Sequence, residues 1–148
     1  MSRKLPLHIA AIAVAVALTG AACATSGASA DRQSAEDVAK FAAAQQHAGE
    51  PRNTVRFLRP IHRYEVVAPQ AILVWETPSK AWLVDLRKSA ACRHLERSWA
   101  VAIDTLNDTL NTSNGYVLGE DGLRCKIDRI REVDVPAMRE TLRESGNA

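Results

Sequence analysis

Residues 71–86 read Ala-Ile-Leu-Val-Trp-Glu-Thr-Pro-Ser-Lys-Ala-Trp-Leu-Val-Asp-Leu, two apolar runs joined by Thr77-Pro78-Ser79-Lys80. Neither run has a helical period. Both are rich in β-branched and aromatic residues, and the joining segment has the composition of a turn, so the stretch is a β-hairpin. In its first strand Ile72, Val74 and Glu76 face one way, Leu73 and Trp75 the other, so a central strand covered on both faces is expected. In the second, Trp82, Val84 and Leu86 share a face opposite Leu83 and Asp85.

Outward from the hairpin the period of two continues. Residues 54–58 and 63–67 are further short strands, bounded by Pro60 and Pro69. Residues 99–106 and 116–118 extend the pattern, with a polar, Asn-rich connection over 107–115. From Leu123 to Val135, Leu123, Cys125 and Ile127 keep the alternation, but Ile130 and Val133 fall out of phase, which predicts a bulge near Asp128 and Arg129. Helical signals flank the strands. Ser34 is an N-cap followed by Glu36 and Asp37 in the first turn, Val38 and Phe41 give an apolar stripe, and Gly49 ends the helix before Pro51. Pro136 closes the last strand, and residues 137–148 read as a charged helical tail. The expected fold is mainly β, an antiparallel meander curling into a small open barrel or half-barrel with an N-terminal helix, with an α+β sheet as the alternative.

The chain has 148 residues, 47% of them hydrophobic and 24% charged, which suits one globular domain carrying an apolar attachment. The attachment is N-terminal. Arg3 and Lys4 precede an apolar run over 9–18, the pattern of an export signal over 1–22. Small residues then lead to Cys23, as in a lipobox, although Gly20 stands where Leu is usual. Ordinary cleavage after residue 24 or 30 is the rival, and an uncleaved anchor the third reading. Residues 23–33 follow as a flexible tether, and residues 34–136 as the single globular domain. With the leader gone, 17 basic residues face 17 acidic ones, so nucleic acid is not an expected partner.

Three cysteines divide accordingly. Cys23 belongs to processing and lipidation, while Cys92 and Cys125 remain for a disulfide in an oxidising compartment. A metal site built on Cys92 and His94, joined by Cys125 or His62, lacks any usual zinc spacing, so no metal is expected. There is no nucleotide loop and no nucleophile elbow, so no cofactor is expected either. For catalysis only single residues remain, His62, His94 and Asp104, the last paired in sequence with Asp108. For binding, Trp75 and Trp82 on adjacent hairpin strands could line an apolar groove, against the plainer reading that both are core. The sequons at Asn107 and Asn111 are discounted behind a bacterial-type leader.

The run His47-Ala-Gly-Glu-Pro51, the hairpin over 71–86, and Cys125-Lys-Ile-Asp-Arg-Ile-Arg-Glu-Val-Asp134 together resemble a bacterial family of small cell-envelope proteins, domain of unknown function 6491. The likeness spans residues 41–135. It departs from the family pattern at Trp82, where Tyr is usual, at Glu132-Val133, and in the shifted lipobox. The resemblance implies lipidation at Cys23, but no active site. The expected protein is therefore exported to the periplasm, held to the outer membrane through lipid at Cys23 or free, and non-catalytic, binding an envelope partner or small ligand. A small periplasmic enzyme using His62, His94 or Asp104 is the alternative.

Overall fold

A computed structural model of the chain describes residues 25–90, 92, 95, 101–105, 107–119 and 122–146. The signal segment, Cys23, His94 and Trp99 lie outside these residues. In chain order the elements are α1 (Thr25–Gln46), β1 (Ala48–Arg52), β2 (Thr54–Arg56), β3 (Arg63–Ala68), β4 (Ala71–Thr77), β5 (Lys80–Leu86), β6 (Ala102–Asp104), β7 (Thr109–Asn111), β8 (Tyr116–Leu118), β9 (Arg124–Val133) and α2 (Val135–Glu144). The fold is mainly β, an antiparallel half-barrel with a helix ahead of the sheet, as the strand pattern predicts.

The sheet runs β3-β4-β5-β9-β8-β6, with β1 also pairing β9, and β2 and β7 form a separate two-stranded ladder. Strand β9 is long enough to hold β5 along one edge and both β8 and β1 along the other. The hairpin strands β4 and β5 are covered on both faces, as expected. Ile72, Val74, Val84 and Leu86 enter a core closed by Val55, Phe57, Leu110 and Val117. Leu73, Trp75 and Leu83 enter a second core closed by Ala43 and Ala44 of α1 and by Val135, Met138 and Leu142 of α2. Burying a leucine as completely as Leu73 and Leu83 are buried stabilises the fold by roughly 1.5–3 kcal/mol.

Bulges curl the sheet and decide which side chain faces which core. In β9, Asp85 pairs Arg129 but Leu86 pairs Ile127, leaving Asp128 as the extra residue. Ile127 and Ile130, three apart, consequently enter the same core, and the phase slip read in the sequence has this bulge as its cause. In β4, Thr77 pairs Lys80 while Trp75 pairs Ala81, leaving Glu76 as the extra residue. A third sits at Val67 in β3, where Val66 pairs Ile72 and Ala68 pairs Ala71.

The ends of the chain differ from the sequence reading. Helix α1 begins at Thr25, so residues 25–33, read as tether, are helical and Ser34 is an interior position. Residues 25–33 contain no proline, and their one glycine, Gly27, costs only about 1 kcal/mol in a helix, so the helix extends backwards past Ser34. The helix ends at Gln46, and Gly49 and Pro51 lie in β1, a strand on the second edge of β9, where a proline lacking its N–H is tolerated beside a register shift. The C-terminal segment is no tail. Asp134 caps α2 by accepting a hydrogen bond from the Ala137 N–H at 3.1 Å, Pro136 opens the helix, and Met138 and Leu142 are core residues. Among the described residues no helix is long and apolar enough to cross a membrane.

One glycine is required by close approach. A Cβ on Gly115 would overlap the Asn111 carbonyl oxygen and stand 2.9 Å from Ile127 Cδ1. That carbonyl already accepts from the Gly115 N–H at 3.0 Å, so it has no room to withdraw. Gly115→Ala is expected to lower stability by about 1–3 kcal/mol in urea unfolding. An unchanged midpoint would show that the turn before β8 can open at no cost.

Candidate functional site

Those sequence candidates that lie among the described residues do not assemble into one site. Trp75 and Trp82 are only 2% and 3% exposed and lie on opposite faces of the sheet. The Glu76 bulge is the reason: continued from the turn, the Thr77 with Lys80 register would pair Trp75 with Trp82, and the extra residue moves them apart. Cations close the outer side of each ring. Arg63 and Arg139 stand 4.7 and 5.9 Å from the Trp75 ring centre, Arg52 and Lys80 5.6 and 5.4 Å from that of Trp82. The shared groove proposed for the pair is therefore absent.

His62 is exposed just ahead of β3, its N–H donating to the Trp75 carbonyl at 2.8 Å. Asp104 lies in β6 at the opposite margin of the sheet, 3.9 Å from Arg124. Asp108, exposed with a left-handed backbone, serves through its carbonyl, which accepts from the Phe57 N–H. Among the described residues no hydrogen bond or ion pair joins His62 to Asp104, and no group of three His, Cys, Asp or Glu is placed to hold a metal. Cys92 and Cys125 are bonded to each other, their Cα atoms 5.6 Å apart, with both side chains in the core that β2 and β7 close.

Glu76 is the best-held carboxylate. Its residue is only 6% exposed, with Lys80 Nζ at 2.9 Å across the hairpin turn and the Leu58 N–H donating at 3.4 Å. Burial pushes this carboxyl up, but the Lys80 ammonium and the Leu58 N–H outweigh it and hold it below the usual glutamate value. A lowered native pKa contributes stability that is complete above the unfolded value of about 4.5 and is lost as pH falls through the native one. Glu76→Gln should therefore destabilise at neutral pH, and the gap from the natural protein should narrow as pH falls below the usual glutamate range in urea titrations. A gap that does not change with pH would remove the ionised carboxylate as its cause.

What the structure does assemble is a cleft where α1 passes over the end of the sheet. Its walls are Phe41 and Gln45 of α1, the turn Ala68-Pro69-Gln70, the end of β5 from Asp85 to Leu86 with Arg87 and Lys88 beyond it, and the bulge Asp128-Arg129. The cleft holds about 760 Å³. A smaller groove of about 340 Å³ continues from it along Val38, Val66 and Val67, and the two share Phe41, Ala68 and Pro69. Both volumes fall in the range of roughly 300–1,000 Å³ that small-molecule sites occupy. Two of the bulges line this trough, at Val67 and Asp128, the setting in which bulges re-aim side chains beside sites.

Charge is uneven along it. Asp85, 8% exposed, is held by Arg131 at 2.9 Å and by Arg129 at 3.5 Å, and Asp128 lies 3.8 Å from Arg129. Arg87 and Lys88 are exposed and pair with no carboxylate among the described residues. At the other end Asp37 meets partial burial, which pushes its carboxyl above the usual range, while Lys40 opposes the shift. From the sequence alone Phe41 reads as helix stripe and Arg129 as a bulge position, and no motif marks Arg87 and Lys88 as part of a site. One signal was present: Asp85 interrupts an otherwise apolar run immediately before Arg87-Lys88.

Fold and cleft define a small β half-barrel with two helices on one face and a trough under the first. A family model described as "Family of unknown function (DUF6491)" matches residues 3–148, and the chain belongs to that family. No curated protein and no solved structure matches it.

Proposed function

We propose that the protein is a non-catalytic binding domain of the bacterial cell envelope, with its ligand site in the trough beneath α1. The observation that carries the reading is a cleft of about 760 Å³ with an apolar wall and two cations, Arg87 and Lys88, left unpaired among the described residues. Export is supported by the basic-then-apolar leader and by a disulfide, which suits an oxidising compartment. Attachment to the outer membrane would follow from lipid on Cys23.

Two measurements test the two halves. Mass spectrometry of the N-terminus from cells should find diacylglycerol on Cys23, or a start at Thr25 or Asp31 for the freely secreted form; an intact Met1 would end both cleaved-leader readings. Native mass spectrometry of protein purified without denaturation should find a bound small molecule. Ala68→Trp fills the segment common to both clefts and should abolish that mass while leaving the circular dichroism unchanged. A bound mass indifferent to this substitution would place the ligand elsewhere.

A further inference from the structure

Resting on that reading of the trough, its two ends specify what chemistry it takes. The segment between α1 and the β3–β4 turn presents Val38, Phe41, Val66, Ala68 and Pro69, with Asp37 as the one acidic residue of its lining. Val38 is 65% exposed, a large aliphatic side chain left without cover on the helix side of the groove. Beyond Phe41 and Pro69 the lining becomes cationic. There Asp85 is already neutralised by Arg131 and Arg129, and Asp128 lies beside Arg129, so among the described residues Arg87 and Lys88 are the surplus charge at the mouth. An occupant that satisfies both ends has an apolar body and an anionic head.

We propose that the trough binds a single-chain anionic amphiphile, with its hydrocarbon chain along Val38, Phe41 and Pro69 and its carboxylate or phosphate head at Arg87 and Lys88. The apolar groove excludes a compact anion such as inorganic phosphate from using the whole site, because nothing would cover Val38 and Phe41. The cations disfavour a neutral chain of equal length, because their ion pairing with the head would be lost. A groove of about 340 Å³ takes a single chain rather than a bilayer surface.

The test is calorimetric titration of the delipidated full chain with laurate, dodecyl phosphate, dodecanol and inorganic phosphate, each below its aggregation limit. Laurate and dodecyl phosphate should bind saturably one to one, with dodecanol about tenfold weaker and inorganic phosphate unbound. Arg87→Gln with Lys88→Gln should weaken laurate about tenfold and leave dodecanol unchanged, and Ala68→Trp should abolish both. Equal affinity for laurate and dodecanol, binding of inorganic phosphate alone, or uptake by anionic vesicles without binding of monomeric laurate would each overturn the assignment. If laurate fails while native mass spectrometry still shows a mass expelled by Ala68→Trp, the amphiphile falls and the binding domain stands. If no mass and no amphiphile is found, both fall.

Discussion

Replacing Cys92 and Cys125 together by alanine is expected to cost about 3–4 kcal/mol, the largest effect among simple variants of this domain. The bridge closes a loop across a sequence separation of 33, and the chain-entropy estimate for a loop of that length gives roughly this value. Alanine is the informative choice. Both sulfurs lie in a core, with Cys92 and Cys125 at 1% and 0% exposure, and a serine would add the burial of an unpaired hydroxyl to the measurement. At roughly 3–6 °C per kcal/mol for a domain of this size, Tm should fall by about 10–20 °C, and a reductant should produce nearly the same fall in the natural protein. A fall under about 1 kcal/mol by urea titration would mean that the bridge constrains little of the unfolded chain.

The second large effect is expected at Asp85. This carboxylate ends β5 on the helix face, 2.9 Å from Arg131, whose side chain is 14% exposed and whose Nε has no acceptor among the described residues. Asp85→Ala leaves that guanidinium half-desolvated and without its partner, at a cost of about 3 kcal/mol. Removing both charges, as Asp85→Leu with Arg131→Met, should restore most of the loss, because the neighbouring Leu83 and Phe41 offer apolar surface. A double-mutant cycle by urea unfolding reads the coupling directly. If Asp85→Ala and Arg131→Met together cost the sum of the single changes, the pair does not act as a unit.

Much of this architecture is legible in the residues alone, for a physical reason. Strands β4 and β5 are buried on both faces, so their apolar runs come from their own burial and announce themselves. The Asp128 bulge shows because both neighbours, Ile127 and Ile130, must be apolar to reach one core. Strands β1 and β7 do not show. Ala48–Arg52 buries almost nothing of its own and Thr109–Asn111 only Leu110, so both take their extended form from β9 and β2 and no periodicity marks them. The same limit hides the trough. Its walls come from four separated segments, and the cationic pair Arg87-Lys88 looks like any solvated end of a strand until α1 is laid across it. The Trp75 and Trp82 groove failed on one residue of register, because a period of two lets a single bulge exchange the faces of everything beyond it.

The position of β9 has a consequence for synthesis. The strand that joins β5 to β1 and β8, and that supplies one half of the disulfide, is the last strand of the chain. A growing polypeptide can close the local β4–β5 hairpin early, but every pairing of β1, β5 and β8 with β9 waits for residues 124–133 to emerge. Until then the nascent chain has no completed sheet. A polypeptide ordered this way acquires its sheet late, all at once, when its final strand becomes available.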